Sequence, residues 1–138
     1  MGAEDAVNQA FASIKPVPYG SSPFAAVNKN QLRMLYFLFN KNLEKALRIL
    51  DNRGVTRITA NPSGRVVFQV TAESKGLGQY VCFPEHFCSC PAYHFEVVSR
   101  GQQLCCKHQL AARLANSLNI CKELSVSDEY VALLLLSL

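Results

Sequence analysis

Residues 87–114 read FCSCPAYHFEVVSRGQQLCCKHQLAARL, and this stretch contains two close pairs of metal-ligating side chains. Cys88 and Cys90 form the first pair, and Cys106 and His108 form the second after a spacer of 15 residues. Three sulfurs and one imidazole suit the tetrahedral shell that Zn²⁺ prefers in proteins. Since protein atoms would fill all four positions, no place is left for water or substrate. We therefore predict one structural zinc ion.

The spacing within each pair predicts where the ligands lie. Residues i and i+2 of a regular helix point to different sides, so each pair needs a turn or the end of a helix. We place the first pair on a knuckle after a strand, and the second pair at the start of a helix that begins near Lys107. A helix N-terminus also favours thiolate over thiol, which helps Cys106 to bind a metal at neutral pH.

Neighbouring residues leave alternatives to this ligand set. Cys105 offers the same donor as the cysteine that follows it, and His86 lies just before the first pair. Cys82 and Cys121 are interpreted as small buried hydrophobic residues, and the competing hypothesis is that all the cysteines are of this kind. Because the chain has six cysteines and no recognisable secretion signal, disulfides are the less favoured interpretation.

The composition is typical of one folded domain. At 138 residues, with 49% hydrophobic and 17% charged residues, the chain has enough apolar surface for a single core. The longest apolar run, 130–136, is too short to cross a bilayer as a helix, so no membrane partner is expected. The N-terminus has acidic residues where a secretory signal has positive charge, and we expect an intracellular protein.

Hydrophobic periodicity predicts an α+β fold. Residues 1–23 are rich in proline and small residues, and we expect a flexible N-terminal arm that packs little, ahead of a single domain over 24–138. Helical spacing predicts an N-terminal helical segment, either a helical pair or one bent helix, that starts near Asn28 and stops at Gly54. Alternation of apolar and polar residues then predicts a three-stranded antiparallel β-meander, with strands over 55–60, 66–70 and 79–83 and turns at 61–64 and 73–78.

The C-terminal part is predicted to be helical. The second ligand pair opens an amphipathic helix within a zinc-binding segment over 82–115. Ser125 or Ser127 is expected to cap a last helix over 127–138. Its run 131–136 has no polar face, so this helix belongs either to the core or to an interface. We favour a partner-binding helix.

The four ligand positions resemble the SWIM zinc fingers, whose pattern is C-x-C, a variable spacer and C-x-H. Ala111 matches the small residue that follows the histidine in that family, and the pattern favours Cys106 over Cys105 as the ligand. The chain also resembles the family of short SWIM subunits of the Shu complex, and this likeness covers about residues 30–130. It is carried by Pro62-Ser63-Gly64-Arg65 before Phe68-Gln69-Val70, by Cys88-Ser89-Cys90-Pro91-Ala92 and by Leu124-Ser125-Val126-Ser127-Asp128.

The resemblance implies a non-enzymatic, nuclear protein of homologous recombination repair. In that family the SWIM subunit pairs with a RecA-like recombinase paralogue, and the complex promotes assembly of recombinase filaments on single-stranded DNA. The chain itself is then expected to have no small-molecule substrate and to reach single-stranded DNA through the complex.

Two other functions compete with this one. A formal net charge of +4 is compatible with a stand-alone zinc-finger module that binds DNA or RNA. Its phosphate contacts would come from the basic residues around the meander and the finger, namely Arg53, Arg57, Arg65, Lys75, Arg100, Lys107 and Arg113. His94-Phe95-Glu96 matches the H-x-E of zinc deaminases, but their P-C-x-x-C half is missing. No G-x-x-x-x-G-K-[ST] sequence occurs, so ATP hydrolysis in a complex is expected to come from the partner.

Overall fold

The computed structural model describes residues 2–18, 27–71 and 78–138, and the α+β class is confirmed. The α-helices are α1 (Ala3–Ala12), α2 (Lys29–Phe39), α3 (Lys41–Asp51), α4 (Lys107–Leu118) and α5 (Asp128–Leu136). A π-helical segment, Tyr93–Ser99, lies between the two ligand pairs. The strands are β1 (Val55–Asn61), β2 (Val66–Thr71), β3 (Gln79–Phe83), β4 (Phe87–Cys88) and β5 (Lys122–Ser127). None of the helices in the described ranges has the length and apolar character that a membrane span requires.

The strands form one mixed sheet in the order β4-β3-β2-β1-β5. The predicted antiparallel meander of β1, β2 and β3 is confirmed, with Val55 opposite Val70 and Phe68 opposite Cys82. The sheet is larger than predicted, because the short β4 extends the meander and β5 pairs in parallel with β1. The predicted turn at 73–78 lies outside the described residues, except for its last position.

The two faces of the sheet are covered unequally. One face contributes Val55, Phe68, Val70 and Cys82 to the main core, which also contains the buried residues of α1 to α4. The other face carries a smaller cluster of Ile58, Val67 and Val81, against which α5 packs Val131, Leu134 and Leu135. Within the described ranges, the second face therefore depends on a single nine-residue helix.

The N-terminal stretch differs from the flexible arm that we expected. Its apolar residues recur at helical spacing and are buried in the main core: Val7, Ala10, Phe11 and Ile14. The ring of Phe11 packs against Phe39 with centroids 6.1 Å apart, and Arg113 of α4 lies 4.5 Å above it. Residues 3–14 thus pack on the same core as the later helices, while positions 1 and 19–23 of the expected arm lie outside the described residues.

The helical segment predicted between Asn28 and Gly54 consists of two separate helices rather than one bent helix. Of the two asparagines that could cap the start of this segment, Asn28 and Asn30, the cap of α2 is Asn28, because its Oδ1 accepts the N–H of Gln31 at 2.8 Å. Asn40, with φ 52°, separates α2 from α3. Gly54 follows α3 at a close approach, where a Cβ would lie 2.9 Å from Cγ2 of Ile49. These contacts set the point at which the helices give way to β1.

The start of α5 is set by Ser127. Its Oγ accepts the N–H of Tyr130 at 3.1 Å, which confirms one of the two predicted caps. The other predicted cap, Ser125, lies inside β5 and pairs with Thr59 of β1. β5 and α5 therefore follow one another without a loop.

Candidate metal centre

Cys88, Cys90, Cys106 and His108 meet in one buried cluster, and their potential ligand atoms all lie within 4.8 Å of one another. All four residues are at most 4% exposed. Tetrahedral zinc, with Zn–S near 2.3 Å and Zn–N near 2.0 Å, separates its ligand atoms by about 3.5–3.8 Å. Small inward shifts of these side chains would therefore enclose an ion. The cluster could hold a metal, and its three sulfurs and one imidazole fit zinc.

The β3–β4 hairpin places the first ligand pair. Cys88 ends β4 opposite Cys82 of β3, and Cys90 follows after one residue. Ser89 between them is tied to β3, since its N–H donates to the carbonyl of Val81 and its Oγ accepts the N–H of Val81, both at 3.0 Å. This tight turn brings both flanking sulfurs into the cluster, and it is the knuckle predicted after the third strand.

Tyr93 closes the other side of the knuckle. Its backbone N–H donates to Sγ of Cys90 at 3.3 Å, and its hydroxyl donates to the carbonyl of His86 at 2.6 Å. Its ring packs edge-on against Phe87 with centroids 5.8 Å apart. An N–H that donates to sulfur favours the thiolate, which is the form that binds a metal.

The second ligand pair lies at the start of α4, as predicted. Cys106 is the N-cap: its Sγ accepts the N–H of Gln109 at 3.4 Å, and its own N–H donates to Oε1 of Gln109 at 3.1 Å. The free N–H groups and the dipole of the helix both favour negative charge on this sulfur. The cysteine therefore acts as a helix cap and as a candidate ligand at once.

His108 lies in the first turn of the same helix. Its Nδ1 is 4.0 Å from Sγ of Cys106, and Tyr80 packs on its ring with centroids 4.6 Å apart. Its Nε2 is buried and has no hydrogen-bond partner among the described residues. Buried polar nitrogens usually have a partner, so the environment of this imidazole fits a residue held by a metal.

Asn42 of α3 supports the site, although it was not among the residues predicted to form it. The residue is 4% exposed, and its Nδ2 donates to the carbonyl of Cys105 at 3.2 Å. The peptide that leads into Cys106 is thereby fixed to α3. A signal was present, because this asparagine shares the helical spacing of the buried Ala46 and Ile49.

The sulfurs of the cluster influence each other's protonation. Hydrogen bonds with Cys106 and Cys88 lower the pKa of Cys90 well below its usual range. Hydrogen bonds with Cys106 and Cys90, together with burial, raise the pKa of Cys88 far above its usual range. One thiolate shared among neighbouring thiols is an arrangement that can exchange protons for a divalent cation.

The alternative ligands lie outside the cluster. Cys105 is half-buried, and burial raises the pKa of its thiol to about 12. His86 is exposed, and His94 is exposed on the π-helical segment, so the H-x-E pair of the deaminase hypothesis is not at the candidate metal centre. Cys82 is buried in the core, as predicted, whereas Cys121 is half-buried and so differs from the prediction.

Several basic residues considered for phosphate binding are engaged within the chain. Arg57 pairs with Glu123, with Nε 3.2 Å from Oε2, and Arg113 lies 3.7 Å from Glu85. The remaining residues differ in their surroundings: Arg53 and Arg65 are exposed, Lys107 is half-buried, Arg100 stacks over Phe95, and Lys75 lies outside the described residues. Part of the positive charge is therefore neutralised by neighbouring acidic groups.

The chain is similar over most of its length to proteins named Zinc finger SWIM domain-containing protein 7. The protein of Homo sapiens is 38% identical over 113 residues, which cover 81% of this chain and 79% of that protein. The protein of Mus musculus is 39% identical over 113 residues, with coverage of 81% and 72%. That of Danio rerio is 35% identical over 124 residues, with coverage of 89% and 79%. No protein-family model and no solved structure matches the chain.

Proposed function

The chain belongs to the SWIM-type zinc-finger family, and from this premise we propose that it is a non-enzymatic, zinc-binding subunit of a Shu-type complex. In this proposal it pairs with a RecA-like recombinase paralogue in the nucleus. The complex promotes assembly of recombinase filaments on single-stranded DNA during homologous recombination repair. The supporting observation is the buried set of four donors, because a tetrahedral ion held by four protein ligands has no position for a substrate.

One Zn²⁺ is the ion that we assign to this site. Thiolates and imidazole together favour zinc over the hard cations, which prefer oxygen ligands. Cys88, Cys90, Cys106 and His108 would hold the ion between the β3–β4 knuckle and the first turn of α4. When bound, the ion acts as a crosslink between a hairpin and a helix.

An adaptor role also fits the surface of the protein. α5 packs one side against the sheet, yet it leaves Leu133 and Leu136 60% and 83% exposed. Exposed apolar side chains on a short helix are typical of a surface that another chain covers. The partner-binding helix predicted over 127–138 is therefore retained in this proposal.

A stand-alone DNA- or RNA-binding module is the second candidate. The net charge of +4 and the exposed Arg53 and Arg65 favour it. The pairing of Arg57 with Glu123 counts against it, because a paired guanidinium is less available to a phosphate. This candidate predicts nucleic-acid affinity that falls steeply with salt for the isolated chain.

Co-expression with RecA-like paralogues of the source organism tests the proposal. We expect a stable heterodimer that contains one zinc ion per chain, measured by mass and by metal analysis. Cys106→Ala should lose the ion, whereas the matched variant Cys105→Ala should keep it. A zinc-loaded chain that binds none of the paralogues, and that alone binds single-stranded DNA in a salt-dependent way, would favour the second candidate instead.

A further inference from the structure

β5 leaves one edge of the sheet open within the described part of the chain. It is the last strand in the sheet order and pairs in parallel with β1, from Lys122 opposite Thr56 to Ser127 opposite Asn61. Its residues are exposed, apart from the half-buried Val126. In a parallel pair, every second residue directs its N–H and C=O away from the neighbouring strand. The outer side of β5 therefore offers a row of hydrogen-bonding groups.

The sequence of β5 does little to protect this edge. Natural edge strands are commonly blocked by proline, a bulge or charged side chains. β5 contains no proline, and its only lysine, Lys122, stands at the first position. Glu123 is paired with Arg57 of β1, so its charge is neutralised by the neighbouring strand. An edge of six residues without proline, whose last four residues carry no charge, is suited to pairing with a further strand.

Apolar side chains flank the open edge. Leu124 is 42% exposed and lies beside Ile58, on the face that α5 covers. Ala132 of α5 lines a groove with Val67, on the side of β2. Tyr130 comes two residues before Ala132, which places it about 200° away around the helix. It therefore lies on the opposite side of α5, towards β5. Its ring is 51% exposed.

We propose that the outer edge of β5 binds an extended segment of the partner subunit as an additional strand of the sheet. The row of backbone donors and acceptors selects an extended chain, because only a strand matches their spacing. Leu124 and Tyr130 would contact apolar side chains at every second position of that segment. This inference rests on the proposed function for the existence of a partner, and it adds where and how the partner binds.

Amide hydrogen exchange of the full chain, alone and in the co-purified complex with a RecA-like paralogue, tests this pairing. We expect every second amide of residues 122–127 to exchange at least about 10-fold more slowly in the complex. Each of these amides would form a new hydrogen bond between strands, and that bond must open before exchange. Amides of residues 98–100, which are exposed, serve as the internal control and should not change.

Substitutions at the same surface provide an independent readout. Leu124→Lys and Tyr130→Glu are each expected to weaken the complex by about 10-fold or more. Both side chains are about half exposed, so the unfolding temperature and the zinc content should stay as in the parent. Phe37→Glu is the matched control, because it changes an 82% exposed aromatic residue on α2 and should leave binding intact.

Each outcome decides between the alternatives. Protected alternate amides and weakened variants support strand addition. A complex in which β5 exchanges as in the free chain overturns this inference and leaves the proposed function standing. Absence of a complex with every paralogue overturns both. Protection of β5 in the isolated chain, together with a dimeric mass, identifies a second copy as the occupant and also overturns the inference.

Discussion

Replacing Asn42 with alanine is expected to loosen the metal centre without changing a ligand. The asparagine is 4% exposed, and its side-chain amide donates to the carbonyl of Cys105 at 3.2 Å. Alanine removes this donor and leaves a partly buried carbonyl without it, which costs about 1–3 kcal/mol of unfolding free energy. The peptide next to Cys106 also loses its anchor to α3.

The expected size of the effect follows from the length of the chain. For 138 residues, an unfolding entropy of about 2.1 cal/mol/K per residue gives about 0.3 kcal/mol/K. A loss of about 1–3 kcal/mol then lowers Tm by about 3–10 °C. Groups that orient a metal ligand typically change metal affinity by about 10–100-fold when removed, and we expect a fall in zinc affinity within that range.

Two measurements check this prediction. Thermal unfolding followed by circular dichroism gives the change in Tm, and competition with a chromophoric chelator gives the zinc affinity. Asn52→Ala is the matched control, since this exposed asparagine lies just past the C-terminal end of the same helix. If Asn42→Ala and Asn52→Ala behave alike in both assays, the hydrogen bond to Cys105 does not position the ligand loop.

Three further predictions concern the core, the ligands and a thiol. Phe11→Ala should lower the free energy of unfolding, measured with denaturant, by about 3–5 kcal/mol, because the ring is buried. Phe37→Ala changes an exposed position and should lower it little, so equal effects would contradict the docking of α1. His108→Ala should abolish zinc binding in metal analysis, and His86→Ala should retain it; zinc retained by both would exclude this ligand set. Burial raises the pKa of Cys121 to about 11 from 9.0, so the folded thiol stays protonated where the unfolded one ionises, and Tm of the metal-free chain should fall as the pH rises from 9 towards 11. Cys121→Ala should make this slope shallower but leave a part of it, because burial also raises the pKa of Cys105, to about 12; an unchanged slope would rule out a contribution from Cys121.

The sequence was most informative where a constraint is local. Two donors separated by one residue cannot both face an ion from within a regular helix, so the positions of Cys90 and Cys106 at a turn and at a helix start were predictable. The meander was predictable for the same reason, because alternation within β1, β2 and β3 shows which side chains face the core. Neither prediction requires knowledge of distant residues.

The features that were missed depend on distant contacts. Helical spacing is present at Val7, Ala10, Phe11 and Ile14, but the prolines that follow favoured the prediction of a flexible arm. The docking of α1 depends on contacts with distant residues such as Phe39 and Arg113. β5 has only two apolar residues in alternation, and its place in the sheet is set by parallel pairing with a strand more than 60 residues earlier, as Arg57 and Glu123 illustrate. Such pairings have no local signal.

The double role of Cys106 connects the supply of zinc with the amount of folded protein. The same residue begins α4 and supplies a sulfur to the cluster, and α4 places Leu110, Leu114 and Leu118 in the main core. An ion that binds only the folded chain raises the folded fraction by mass action. Zinc supply in the cell would therefore regulate how much of this protein survives degradation, at a constant rate of synthesis.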